Sequence, residues 1–471
     1  MDAAKTERGG DVLCVDGFDY VERKDRRGRD GSRAWRCREF RKNKCPATLK
    51  TLNGNVVEDL GCNHHSHGGD PFLPKVREIQ SLMRAQAAST MDTTRTVVSS
   101  YLVNVSQDVL QRLPKRSSLE DNVRAKRRAT NPVNPNPQSL NFQMPEKFQD
   151  MVLYDSGQED PLRILILGKQ ELMDVLERAA LWLGDGTFDV CPAVYYQLYT
   201  IHCKVGINYP PCVYFLLPDK NQTTYVRALN ALKGLIPHAN PDTILVDFES
   251  APINAFREVF ENSTQKGCLF HQGQNFNKKV DSIGLKKSYE TNLEFNIAVK
   301  SLLALSFVPE NDVLERFLEV VERIDNLVEI YPELERVNEL YEYVELNYIR
   351  GLERRHGRGR APAKYPIPLW NHYLDALNNV PRTTNAVEGY HNGLNSLFLA
   401  SHPTLWKLLA GLRLDMALHL KTLADALMIN NPTPRQKYVL QNQRLAAKVD
   451  SYAGSVDKLA YLRAVAHIFS G

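Results

Sequence analysis

The chain has 471 residues, 43% of them hydrophobic and 24% charged, proportions that exclude a largely disordered chain and a collagen-like or low-complexity fibre. No run of about 18 apolar residues occurs, which excludes a membrane-spanning helix, and the opening MDAAKTERGGDV lacks the apolar core of a secretory leader. The net charge of +4 is uneven: residues 1–128 carry 25 Lys+Arg against 17 Asp+Glu, and the remainder 34 against 38, so a front end of +8 precedes a body of −4. That asymmetry points to a polyanion-binding module joined to something else. With no leader, the eight cysteines read as metal ligands or buried thiols rather than a disulfide framework.

In chain order, the segment to about Asp70 is short of apolar runs and dense in Cys, His, Arg and Lys. Cys37, Cys45, His65 and His67 form a C-x7-C-x19-H-x-H pattern. Two thiolates and two imidazoles are the donor set of a tetrahedral zinc site. His64 is an alternative to His65 within the crowded CNHHSH, and Cys14 and Cys62 are spare. The wider pattern comprises Phe18 and Tyr20, Ala34-Trp35-Arg36-Cys37, Cys45-Pro46-Ala47 and His65-Ser66-His67. Over about Val12 to Gly68 it resembles a FLYWCH-type zinc finger of the WRKY-like group of DNA-binding fingers. The resemblance implies zinc on Cys37, Cys45, His65 and His67 within a domain spanning 12–70. Arg33, Arg36, Arg38, Arg41, Lys42, Lys44 and Lys50 around the ligands would contact phosphates.

A helical-looking segment over 74–129 follows. Its end, led in by Ser118, carries Arg124, Lys126, Arg127 and Arg128; the cluster reads as a helix laid on DNA, a nuclear-import signal, or a solvated helix end favoured by the dipole. The Pro/Asn-rich stretch NPVNPNPQ then predicts an extended linker over 130–141. Beyond it, strands are predicted at Leu162–Leu167, Leu181–Val190, Tyr195–Lys204 and Pro211–Leu217, with a helix near Gln170–Ala180. A helix over Gln222–Leu235, a strand at Thr243–Asp247, a helix over Pro252–Phe260 and a strand at Gly267–Phe270 complete the series. The β-β-β-α-β-α-β order is the RNase H-like arrangement. Residues from about Asn275 to Asn379 look almost wholly helical, broken at Gly357–Pro368. Helical stretches near Val387–Ala400 and Thr404–Met428 come last, ahead of a helical tail over 431–471.

Asp185 lies in the first of the three successive strands and Asp247 ends the fourth, and in such a sheet those strands are neighbours. Two carboxylates meeting at one point repel unless cations lie between them, the arrangement two-metal phosphoryl transfer requires. A third acid is Glu388, which shares a polar helix stripe with His391, Asn392 and Asn395. Asp189 competes with Asp185 for the first position. Asp185, Asp247 within D-F-E-x-A, Cys268-x2-His271 and Asn385-x2-Glu388-x2-His391 together resemble the transposase domain of Mutator-like elements over about Leu162 to Leu420. The resemblance settles the first acid on Asp185 and implies an RNase H-like fold with an Asp185, Asp247, Glu388 triad holding magnesium or manganese. It also implies a helical insertion over about 275–379. For Cys268, His271 and His391 a structural or DNA-positioning role is expected.

The expected fold class is α+β multidomain: a small zinc-finger domain, then an RNase H-like α/β catalytic domain (142–430) with its helical insertion. The expected function is a cut-and-paste DNA transposase of the nucleus, acting as a dimer or higher oligomer on terminal inverted repeats and target duplex. No membrane and no small-molecule substrate is expected. A recruited DNA-binding regulator without catalysis is the alternative, and a sequence-indifferent nuclease is a weaker one.

Overall fold

The structure is a computed structural model that describes residues 2–5, 11–23, 30–53, 55–57, 64–90, 92–130, 136–353, 359–398, 402–427 and 436–468. The linker residues 131–135, Cys62, and Gly357 and Arg358 of the predicted helical break lie outside the described residues. The chain divides into two units, Met1–Pro135 and Asn136–Gly471.

In the first unit, six strands run antiparallel in chain order: β1 (Asp2–Lys5), β2 (Asp11–Val15), β3 (Phe18–Glu22), β4 (Arg33–Cys37), β5 (Thr48–Leu52) and β6 (Asn55–Val57). Period-two alternation sets their faces. In β4, Trp35 and Cys37 are buried while Arg33 is exposed. The Trp35 indole N–H donates to Thr51 Oγ1 at 2.9 Å. Asp16-Gly17 turns β2 into β3 with both residues at positive φ (50° and 79°), the pairing a two-residue hairpin demands. A Cβ on Gly17 would also sit 2.8 Å from the Asp70 carbonyl oxygen.

The expected helical segment is four helices: α1 (Leu73–Ser89), α2 (Thr94–Ser100), α3 (Gln107–Arg112) and α4 (Arg116–Thr130). Val76, Ile79, Met83 and Ala87 of α1 pack with Val97, Val98, Val109, Leu119 and Val123. Thr93 caps α2 by accepting from the Thr96 N–H at 3.0 Å.

The second unit is built on a sheet that begins with β7 (Val152–Asp155), β8 (Leu165–Gly168), β9 (Leu181–Thr187), β10 (Gln197–Cys203) and β11 (Pro211–Leu217). It is completed by β12 (Thr243–Val246) and β13 (Thr264–Gly267), in the order β13-β12-β9-β10-β11-β8-β7. β12 is parallel to β9 and β13; the other pairs are antiparallel. Helix α5 (Gln170–Arg178) follows β8, α6 (Gln222–Leu235) joins β11 to β12, and α7 (Ser250–Val259) joins β12 to β13. The predicted strand at Gly267–Phe270 is displaced: β13 ends at Gly267, and Leu269 and Phe270 open α8 (Leu269–Ser282). A four-residue apolar run does not distinguish strand from helix, and the edge strand itself is the polar Thr264-Gln265-Lys266-Gly267. β7 carried no recognised signal.

Both faces of the sheet are covered, and β10 and β11 are buried throughout. Tyr199, Ile201, Val213, Phe215 and Leu217 face one core with α6 and α7. Leu198, Tyr214 and Leu216 face a second core with α15 (below) and a later helix. The helical region after β13 comprises α8, α9 (Lys286–Thr291), α10 (Leu293–Ala304), α11 (Val313–Ile330), α12 (Asn338–Val344), α13 (Ile367–Trp370) and α14 (Tyr373–Leu377). Then come α15 (Asn385–Phe398), α16 (Leu405–Leu427), α17 (Gln436–Asp450) and α18 (Lys458–Ile468). The last two return to the inserted helices: the Tyr461 hydroxyl donates to the Phe307 carbonyl at 2.6 Å and that of Tyr452 to Asp312 Oδ2 at 2.7 Å. None of the described helices is long and apolar enough to cross a membrane.

Candidate functional site

In the first unit, Cys37, Cys45, His65 and His67 come together with their ligating atoms all within 4.8 Å of one another. Cys37 Sγ lies 3.2 Å from His67 Nε2, and Cys45 Sγ 3.3 Å from His65 Nδ1. Ligands on a tetrahedral zinc ion stand about 3.5 Å apart, so the donor set and its spacing fit the metal. The His67 Nδ1–H donates to the Gly68 carbonyl (3.1 Å) and thereby leaves Nε2 bare for an ion. His65 Nε2 meets the Tyr20 hydroxyl at 2.7 Å, which reserves Nδ1 for the ion, and the Phe18 ring stacks on His65 at 3.5 Å. His65 is therefore the histidine in the cluster, and His64 is exposed. Burial pushes the Cys37 thiol up to about 11, with the neighbouring Cys45 adding to it. Two thiols this close resist joint ionisation without a cation between them.

Of the basic residues around this cluster, Arg41, Lys42 and Lys44 are exposed. Arg36 lies over the Phe40 ring at 3.7 Å, Arg38 pairs with Asp19 at 3.4 Å, Arg33 with Glu22 at 3.9 Å and Lys50 with Asp30 at 3.7 Å. On α4, Arg124 pairs with Asp121 and Glu120, Lys126 is half-buried and Arg128 is exposed. Arg127 donates to the carbonyls of Ala87 and Asp92 and so fastens α4 to the end of α1.

In the second unit, the parallel register Thr243↔Leu181, Ile244↔Trp182, Leu245↔Leu183, continued two residues, brings Asp247 level with Asp185. Gly184 and Gly186 flank Asp185 for a steric reason. A Cβ on Gly184 would lie 2.4 Å from the Tyr199 hydroxyl, and one on Gly186 1.6 Å from Gln197 Nε2, both on β10. Val387 of α15 packs with Leu183 and Leu245, which sets Glu388 against the two strands. Burial pushes Asp247 up to about 8, helped by Glu249 and Asp185. Burial and Asp185 push Glu388 up to about 7. Asp185 itself is buried, and its Oδ1 accepts the Gly186 N–H at 2.8 Å. Asp189 stands apart, exposed, at 3.5 Å from Asn395 Nδ2.

The remaining sequence candidates gather around this group. Cys268 Sγ accepts from the N–H and the hydroxyl of Thr384, each at 3.2 Å. The Thr384 carbonyl in turn accepts the N–H groups of Val387 and Glu388. His271, on the first turn of α8, places Nε2 3.1 Å from Glu388 Oε1, and burial holds its pKa down. His391 Nδ1 is 3.4 Å from Asp185 Oδ2. Cys268 thus bears on the start of α15 through Thr384, and His271 on its first turn through Glu388. Among the described residues, the finger's four side chains are the one group of this kind found. Sequence reasoning missed Thr200 and His202 of β10. Thr200 is the cross-strand partner of Asp185, and both residues are fully buried beside it. A single Thr and a single His inside an apolar strand give no pattern, so only the register exposes them.

A family model of the FLYWCH zinc finger domain matches residues 3–67, and one of the MULE transposase domain matches residues 181–275. The chain therefore carries a FLYWCH zinc finger domain ahead of a MULE transposase domain, as its motifs suggested. The second match runs from β9 into α8; it contains Asp185, Asp247, Cys268 and His271 and stops short of Glu388 and His391. No curated protein matches the chain.

Proposed function

We propose that this protein is a cut-and-paste DNA transposase of the nucleus, with an RNase H-like catalytic domain over 142–430 and Asp185, Asp247 and Glu388 as its acids. The observation that carries the reading is the register of β9 and β12, which sets two carboxylates level while α15 delivers a third. The sheet supports the RNase H-like reading, since β11-β10-β9-β12-β13 places three antiparallel strands beside two parallel ones.

The donor chemistry fits hard divalent cations. Burial raises both Asp247 and Glu388 into the neutral range, with Asp185 adding to each and Glu249 to Asp247, the load that a bound cation would relieve. Magnesium or manganese held by these acids would activate the attacking oxygen and stabilise the leaving one. The chain's own contribution is positioning. Gly186 N–H holds one oxygen of Asp185, Cys268 pins the start of α15 through Thr384, and His271 braces Glu388. Zinc on Cys37, Cys45, His65 and His67 would order the finger, whose exposed Arg41, Lys42 and Lys44 would meet the phosphates of the terminal inverted repeats, with Arg128 of α4 alongside. Two ends must be cut in one event, so the reaction implies a dimer or higher oligomer.

Excision in cells tests this reading. A reporter interrupted by a cassette bearing the gene's own flanking DNA ends is released by wild type and not by Asp247→Asn. Release by both proteins would remove Asp247 from the reaction. Binding of those ends without excision by either would assign the chain to transposase-derived regulators.

A further inference from the structure

Hydrogen-bond donors can be assigned along a chain of side chains that starts at a fixed point. His202 Nδ1 lies 2.9 Å from the Tyr209 carbonyl, which can only accept, so this nitrogen carries a proton. His202 is fully buried, and burial holds it neutral down to about pH 3, so Nε2 is bare. The Thr200 hydroxyl lies 2.9 Å from Nε2 and must donate to it. The Asp185 carbonyl, 3.3 Å from the same hydroxyl, cannot share that single proton on equal terms. The Thr200 oxygen is left as an acceptor, and His391 Nε2, 3.2 Å away, is the donor that satisfies it.

With Nε2 donating to Thr200, the other ring nitrogen of His391, Nδ1, faces Asp185 Oδ2 at 3.4 Å. Two lone-pair donors facing each other call for a positive charge between them. Neighbouring ligands on an octahedral ion lie about 3 Å apart. We propose that His391 Nδ1 joins Asp185 as a ligand of the divalent cation, with Thr200 and His202 fixing the tautomer that keeps that nitrogen available. This rests on the reading of Asp185 as a metal-holding acid. An imidazole nitrogen is a softer donor than a carboxylate and suits manganese better than magnesium, so His391 should contribute more to manganese affinity. A proton on Nδ1, pairing His391 with Asp185, is the competing arrangement.

The test uses full-length, zinc-loaded protein and manganese as the probe. Pulsed electron spin-echo spectra of the bound ion should show a directly coordinated nitrogen, whose signature changes when histidine is labelled with 15N. His391→Ala should abolish that coupling and weaken manganese binding by about tenfold or more while weakening magnesium binding less. Thr200→Val should weaken manganese binding, by roughly the tenfold typical of a lost outer partner, and Thr200→Ser should restore it. A manganese ion bound by wild type, lost in Asp185→Asn, but showing no nitrogen coupling would overturn the assignment of His391 and leave Asp185 standing. Absence of bound manganese in wild type would overturn both together. The isotope comparison is made on wild type, so it does not depend on any variant folding.

Discussion

At the scale of single residues, Asp247 is a buried acid under load, with its carboxyl pushed up to about 8 by burial, Glu249 and Asp185. An acid whose pKa is raised by folding keeps its proton where the unfolded chain has lost it. Between about pH 4 and pH 8 the folded state therefore binds the extra proton, and stability falls as pH rises. In magnesium-free buffer, Asp247→Asn should stabilise the protein by on the order of 2 kcal/mol at pH 8. The gain should shrink toward pH 4, where both states are protonated, and unfolding curves at several pH values would show it. A variant that is more stable yet loses excision would carry the trade expected of a strained acid cluster; one destabilised at pH 8 would contradict the load described here. Arg127 teaches the converse lesson. As a sequence symbol it is a fourth positive charge on a basic helix, yet its hydrogen bonds go to two backbone carbonyls.

At the scale of elements, the contacts that place α15 matter more than α15 itself. Cys268 accepts two hydrogen bonds from Thr384 inside the protein, so Cys268→Ala leaves two buried donors unmatched. It should cost about 1–3 kcal/mol and reduce excision, whereas Cys268→Ser, which keeps an acceptor, should retain most of both. Thermal melts of the two variants beside wild type measure the difference. A similar argument applies to β9: Gly184→Ala drives a methyl into the Tyr199 ring hydroxyl and should destabilise the sheet by about 1–3 kcal/mol. The strands and helices around the acids were legible because β-branched and aromatic runs punctuated by Gly, Pro and Asn announce them. Asp185 and Asp247 were legible because each sits at a fixed place in such a run. The finger's six strands were not, since runs of three to five residues are too short to announce a period. The clasp from Cys268 to Thr384 and the chain through Thr200 and His202 depend on which strand lies beside which, information that no local pattern holds. The boundary between β13 and α8 was misread for the same reason, with Leu269 and Phe270 apolar in either element.

At the scale of the whole molecule, the buried clusters each lie within one unit, and their sizes differ greatly. Leu13, Tyr20, Trp35, Cys37, Cys45, Ala47 and Leu49 are all that the finger buries in its cluster, too little to hold six strands without a metal. A strong chelator should therefore abolish amide-exchange protection over residues 11–57 while the second unit's sheet stays protected. Protection of the finger that survives metal removal would count against zinc as its organiser. On the proposed reading, DNA affinity should fall steeply with salt, as the +8 front end would displace counterions from the duplex.

The insertion between β13 and α15 also orders events in time. A ribosome adds about 5–20 residues per second, so on the order of ten seconds separates the emergence of Asp247 from that of Glu388. Tyr461 of α18 and Tyr452 of the turn between α17 and α18, which bond Phe307 and Asp312, emerge later still. On the function proposed above, the zinc-ligating front end is complete well before the third acid is made, so a chain still in synthesis, or broken off early, would already hold DNA while lacking an acid that cutting requires.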